Sequence, residues 1–143
     1  MVNETNLHAT VVSFEGKGLL ILGASGSGKS DLALRLIELG GILVADDRCD
    51  LYSDQSGLLV ASAPSRLQGL LEVRGLGIVT LPFATNIAVD LIIALESELS
   101  AVPRMPEQEY ETLLDVRVPK MSLWPFAASA VTVIKLALST HPA

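Results

Sequence analysis

Cysteine is nearly missing from this sequence. Cys49 is the single one, so no internal disulfide can form, and a reducing, cytoplasmic setting is expected. The thiol itself is expected to be buried in a strand rather than reactive. Positive charge is also scarce, with 10 Lys and Arg against 16 Asp and Glu and a net charge of -6. No basic stripe stands out, which argues against binding nucleic acid, although an acidic surface suits a basic protein partner. The start, MVNETNLHAT, has neither the basic nor the apolar region of a secretory signal. The longest apolar run, NIAVDLIIALE, is broken by Asp90 and too short to span a bilayer, so no membrane association is expected.

Apolar residues, in contrast, make up 50% of the 143 residues, enough to build the core of one domain over residues 1–143. HATVVSF (His8 to Phe14) and LLILG are expected to be strands joined through the turn EGKG. Ser30 to Leu39 carries Ala33, Leu36 and Ile37 at helical spacing, and Gly40-Gly41 is expected to stop that helix. ILVADD is a buried strand ending in two acids. CDLYSD and GLLVASA form a second hairpin around DQSG. SRLQGLLEVRGLGIVTL, with glycines at 69, 75 and 77, suggests a loop or broken helix. IAVDLIIALE is a further buried strand, and the polar SELSAVPRMPEQEYETLLD a long mobile loop. VRVPKMSL suggests a short edge strand, where Pro119 is tolerated, and FAASAVTVIKLALS a closing helix. His141 has no motif around it and is expected at the surface.

GASGSGKS, Gly23 to Ser30, is a full P-loop pattern, G-x-x-x-x-G-K-[ST], between an expected strand and an expected helix. Its parts, Gly23, Ala24, Ser25, Gly26, Ser27, Gly28, Lys29 and Ser30, divide the labour. The glycines let backbone N–H groups converge on an anion, and the helix start adds its dipole. Lys29 puts a positive charge on the phosphates, and the Ser30 hydroxyl can ligate Mg²⁺. Ser25 and Ser27 are small residues that fit.

Enzymes with such loops hold Mg²⁺ with a carboxylate at the end of a second apolar strand. Asp46 and Asp47 stand there, one able to serve the metal and the other to take a proton from an attacking hydroxyl. Within a strand their side chains would point to opposite faces. His8 by itself suggests a surface or packing residue. Glu72 and Arg74, between glycines in LLEVRGLGIV, are a weak signal alone. DQSG mimics the D-x-x-G of GTPases but reads as a turn, since no N-K-x-D motif accompanies it.

Taken in order, HATVVSFEGKGLLILGASGSGKSDLALRLIELGGILVADDR followed by LLEVRGLGIV resembles the catalytic domain of HPr kinase/phosphorylase, best from His8 to Ile78. The resemblance implies an α/β fold, with a P-loop core akin to phosphoenolpyruvate carboxykinase and a mixed sheet with flanking helices. It implies transfer of phosphate from ATP to a serine of an HPr-like phosphocarrier, and removal of that phosphate by inorganic phosphate to give pyrophosphate. Asp47 would be the base of the kinase and the acid of the reverse reaction, with His8 tuning its proton. Ser30, Asp46 and Glu72 would serve Mg²⁺, Arg74 would belong to the signature loop, and Arg104 in PRMPE would be the arginine of the family's mobile loop. With His8 almost at the start, the chain looks like the short form found in some proteobacteria, and the N-terminal regulatory domain of the longer enzymes is expected to be absent. The arginine-rich stretch that follows VPK in the family reads MSLWPFAAS here. A homo-oligomer is left open. Two other readings stand beside this one: a small-molecule kinase of the nucleoside or shikimate type, for which the C-terminal half supplies only Arg104 and Arg117, and a module that senses nucleotide or phosphate without transferring it.

Overall fold

The computed structural model describes residues 4–140; His141 lies outside them. Eleven strands and two α-helices follow in the order β1 (Glu4–Leu7), β2 (Thr10–Phe14), β3 (Lys17–Leu22), α1 (Lys29–Glu38), β4 (Ile42–Ala45), β5 (Cys49–Ser53), β6 (Leu59–Ser62), β7 (Leu70–Val73), β8 (Gly77–Thr80), β9 (Ile87–Leu95), β10 (Glu109–Leu113), β11 (Val116–Leu123) and α2 (Ala130–Thr140).

The sheet is mixed, as expected, and β9 is its axis. On one side β9 runs parallel to β3, which pairs antiparallel with β2, which in turn pairs antiparallel with β4. On the other side β9 is shared: its start pairs antiparallel with β6, and its end, from Ile92 to Leu95, runs parallel to β11. β6 leads outward to β5 and β1, and β11 to β10. Strands β3, β4, β9 and β11 therefore point the same way. The carboxyl ends of such strands are where open α/β sheets place their ligands.

Alternation sorts the apolar side chains onto two faces. Leu19 and Ile21 of β3, with Leu91 and Ile93 of β9, pack under Leu32, Ala33 and Leu36 of α1 and Ala130 and Ile134 of α2. Leu20 and Ile92 face the opposite way, toward Val44, Cys49, Leu51, Leu59 and Ala61. Both helices cover one face, and the β1–β5–β6 ribbon closes the other. Burial in this second cluster pushes the Cys49 thiol up to about 12, so it stays protonated and inert, as expected.

Several expectations hold. β2 and β3 form a hairpin turning at Glu15-Gly16. α1 stops where the Gly40 and Gly41 amides donate to Ile37 O and Leu36 O. In DQSG, Asp54 accepts from the amides of Ser56 and Leu58 and from the Ser56 hydroxyl, which makes it a turn residue. Other expectations are corrected. SRLQGLLEVRGLGIVTL is neither one loop nor a broken helix: after a short 3-10 turn at Ser65–Leu67 it forms the hairpin β7–β8, with Glu72 opposite Ile78. SELSAVPRMPEQEYETLLD ends in a strand, β10. VRVPKMSL is an eight-residue strand with neighbours on both sides, not a short edge strand. Pro119 is tolerated because pairing with β9 begins only at Lys120. His8 precedes β2 in a bend, and β1 lies ahead of it.

The register of β3 on β9 shifts between Gly18 and Leu19. The Gly18 amide there donates to the Asp90 carboxylate at 2.8 Å. A Cβ on Gly18 would collide with the Ala88 carbonyl oxygen, a backbone atom that cannot step aside. Gly18→Ala is therefore expected to lower the unfolding free energy by about 1–3 kcal/mol, read as a fall in the urea midpoint; an unchanged midpoint would show that β9 yields freely there.

Candidate functional site

The carboxyl end of β3 opens into the P-loop, and Lys29 begins α1 directly after it. Gly28, at φ 102, makes the sharp entry into the helix, a conformation L side chains rarely adopt. Gly23 has no room for a Cβ, because Ser27 Oγ lies against it. That hydroxyl is buried, has no hydrogen-bond partner and does not line the cleft. Lys29 is 6% exposed. Its ammonium donates to Gly23 O at 2.8 Å and Ala24 O at 3.1 Å. Burial lowers its pKa from the usual lysine value, against the opposing pull of Asp46 and then Asp47.

Asp46 follows β4 directly and is 7% exposed. Its Oδ1 accepts from Ser30 Oγ at 2.7 Å and Thr10 Oγ1 at 2.9 Å, and its Oδ2 from the Glu72 amide at 3.2 Å. One carboxylate thus ties β2, the first turn of α1 and β7 to the end of β4.

Asp47 behaves differently. Both acids lie past the end of β4, so strand alternation does not separate them, contrary to expectation. Asp47 instead adopts φ 70, a left-handed conformation that aspartate tolerates better than most residues. Its side chain is 71% exposed, and Oδ1 lies 3.0 Å from His8 Nε2. The histidine, ambiguous in the sequence, is thereby partnered.

These groups line one cleft of about 840 Å³, a size suited to a small ligand. Ser25, Gly26, Gly28, Lys29 and Ser30 form its floor, with His8, Thr10, Asp46 and Asp47 on one side. Glu72, Arg74 and Gly75 reach in from the β7–β8 hairpin. Gly23, Ala24 and Ser27 support the loop without lining the cleft, and Arg104 is exposed outside it. Among the described residues no three His, Cys, Asp or Glu side chains gather as a metal cage. Mg²⁺ at phosphate sites needs only one or two carboxylates beside water and phosphate oxygens. The Ser30 hydroxyl paired with Asp46 fits that requirement, with Glu72 on the same cleft. Thr10 and Phe126 are among the lining residues that had escaped sequence reasoning. Thr10 offers no local signal. Phe126 follows β11 in the Trp-Pro-Phe run that stands where arginines were expected.

A mixed sheet with a phosphate loop after one strand and an acid pair after the next but one defines a P-loop protein. Comparison with known proteins narrows this. Residues 1–138 match the family model of the HPr serine kinase C-terminal domain, and the chain belongs to that family. It is 34% identical over 139 residues to the HPr kinase/phosphorylase of Lactiplantibacillus plantarum, covering 86% of this chain and 42% of that one. It is 38% identical over 130 residues to that of Clostridium acetobutylicum, covering 84% and 42%. The chain thus spans about two fifths of the length of these curated relatives. The solved Hpr(Ser) kinase/phosphatase of Coxiella burnetii superposes with a TM-score of 0.83 at 28% identity, covering 96% of this chain and 95% of that one.

Asp46→Ala is expected to strand the Thr10 hydroxyl and the Glu72 amide without an acceptor, costing about 1–3 kcal/mol of unfolding free energy. Chemical denaturation reads this directly, and an unaltered stability would mean that water replaces the carboxylate.

Proposed function

We propose that this domain is a Mg²⁺-dependent protein serine kinase of the cytoplasm, and also a phosphorylase, acting with ATP on a serine of an HPr-like phosphocarrier. The observation that carries this reading is the pairing of two adjacent acids in opposite environments. Asp46 is buried against the Ser30 hydroxyl, whereas Asp47 stands open at the mouth of the same cleft against His8. The names of the relatives support the choice of carrier.

In this reading the P-loop amides and Lys29 hold the phosphates. An arriving anion draws the Lys29 ammonium away from Gly23 O and Ala24 O and relieves its poorly solvated charge. Ser30 and Asp46, with Glu72 nearby, would hold Mg²⁺, which would supply charge neutralisation for the transferred group. The carrier's serine oxygen bonds to the γ-phosphorus as the bond to the β–γ bridging oxygen breaks. ADP leaves, and the serine proton passes to an Asp47 carboxylate oxygen. His8 holds that carboxylate in place. In the reverse direction inorganic phosphate attacks the phosphoserine phosphorus. Pyrophosphate forms, and the released serine oxygen recovers a proton from Asp47. Positioning and charge stabilisation supply most of the rate.

Lys29→Ala is expected to lower transfer at least about a hundredfold while the circular dichroism spectrum stays unchanged. Near-normal transfer would remove Lys29 from the phosphates. Asp47→Asn is expected to slow both directions by about two to four powers of ten, because one carboxylate is base one way and acid the other. Labelled ATP with a purified HPr-like carrier measures the forward rate, and phosphate with phosphorylated carrier the reverse. Loss of one direction alone would reject the shared assignment. Wild-type protein that binds ATP yet labels no carrier would make the domain a sensor.

A further inference from the structure

Where β11 ends, the chain runs through Trp124, Pro125 and Phe126 before α2 begins. This segment is pressed against the phosphate loop. A Cβ placed on Gly28 would lie 3.1 Å from Phe126 Cζ, 3.3 Å from its Cε1 and 3.4 Å from Pro125 Cγ. The ring thus sits in contact range of the last glycine of the cradle. It is nevertheless 56% exposed, and it lines the cleft.

The ring is also held from behind. Trp124 meets it edge to face, with centroids 6.1 Å apart and planes at 78°, a favoured arrangement of two aromatic quadrupoles. The carbonyl of Pro125 accepts a hydrogen bond from the Arg35 guanidinium at 2.6 Å, and Arg35 is paired with Asp31 at 3.1 Å. Both residues belong to α1, so the segment is fastened to the helix that carries Lys29 and Ser30. An exposed apolar ring is unremarkable on a protein surface. A ring set against Gly28 and Trp124, on a backbone fastened to α1 and with part of its surface turned to the cleft, is a prepared wall. No other Phe, Tyr or Trp lines this cleft among the described residues.

We propose that Phe126 is the surface on which the purine base of the bound nucleotide stacks. This rests on the reading that the cradle holds a nucleoside triphosphate, and it adds where the nucleoside lies. In that reading Lys29, Ser30, Asp46, Glu72, Asp47 and His8 are taken up by phosphate, metal and proton transfer, and Phe126 is the one aromatic face the cleft offers a base among the described residues. Stacking of this kind tolerates any base and depends on the ring alone. The carboxyl end of β11 then supplies the nucleoside subsite, and the carboxyl ends of β3 and β4 supply the phosphate and proton-transfer groups.

The test separates base from phosphates. Calorimetry compares ATP with tripolyphosphate, which carries the phosphates and no base. In the wild-type protein ATP is expected to bind more tightly than tripolyphosphate. Phe126→Ala is expected to weaken ATP about 5- to 100-fold and leave tripolyphosphate unchanged. Phe126→Leu, which keeps apolar bulk against Gly28, is expected to lose ATP affinity likewise, and Phe126→Trp to retain it. Trp124, the sole tryptophan, gives a second readout, since its fluorescence should respond to ATP and much less to tripolyphosphate. Equal loss for both ligands would overturn the proposal and leave Phe126 as a prop for the loop. So would an unaltered ATP affinity in the Leu variant. Tripolyphosphate binding in the wild type keeps the cradle intact whatever Phe126 does, whereas binding of neither ligand would remove the cradle and the stacking wall together.

Discussion

The cleft depends on one buried carboxylate. Asp46 sits in an environment where an unpaired charge would cost several kcal/mol, on the order of its desolvation penalty, and its oxygens find donors in three distant places. Thr10 comes from β2, Ser30 from the first turn of α1 and the Glu72 amide from β7. None of these is a sequence neighbour of Asp46. They meet because β2 lies between β3 and β4 in the sheet, which sets the end of β4 beside the start of α1. The sheet order is thus a condition for the site. In return the carboxylate fixes how the helix start and the β7–β8 hairpin stand over the sheet. Hydrogen bonds to a charged acceptor are stronger than neutral ones, so they hold the hydroxyl of Ser30 in one orientation before any ligand arrives.

In the proposed reaction the neighbouring acid needs the opposite environment: a proton acceptor for an incoming protein hydroxyl has to be reachable, whereas an acid that positions a hydroxyl beside phosphates is better buried. Adjacent residues in a strand would satisfy this by facing opposite ways, but the strand has already ended. A left-handed turn at Asp47, closed by the Arg48 amide donating to Asp46 O at 2.8 Å, does it instead. The turn sends one carboxylate inward and the next outward to His8 within a single residue. Strand alternation would give the same division but would tie Asp47 to the sheet face. The turn leaves it at the rim of the cleft.

Much of this was legible in the sequence because the informative patterns are local. The continuous apolar runs of β3 and β9, the helical spacing in α1 and the spacing of glycines, Lys29 and Ser30 each lie within one element. The family resemblance added the pairing of His8 with Asp47, which distance in the sequence would otherwise hide. What escaped is non-local. The β7–β8 hairpin was obscured by Gly75 and Gly77, which read as breakers although Gly75 lies in the tight turn and Gly77 opens the second strand. β1 is polar and exposed and exists because it pairs with β5. Pro119 suggested an edge, since the sequence cannot show that β9 joins β11 only beyond it. Thr10 escaped for the same reason: nothing near it in the chain signals a carboxylate 36 residues away.

The segment after β11 shows what a missing residue type can mean. The expected arginines are absent from MSLWPFAAS, and the immediate inference is a loss of charge on the ligand or the partner. The structure gives the replacement a positive content. Phe126 and Pro125 occupy the space above Gly28, so this glycine is held by two independent constraints, its φ of 102 and the ring beside it. Arg35 supplies a guanidinium to the same region from α1, but spends it on the Pro125 carbonyl and Asp31 rather than on the cleft. The cation that remains on the cradle floor is Lys29. On the floor of the cradle, charge is therefore concentrated in one buried ammonium and the loop amides, with Arg74 reaching in from the hairpin and an apolar wall at Phe126. With a base stacked on it, as proposed, such a wall would keep water from one flank of the cradle, and in a drier site each remaining electrostatic contact acts more strongly.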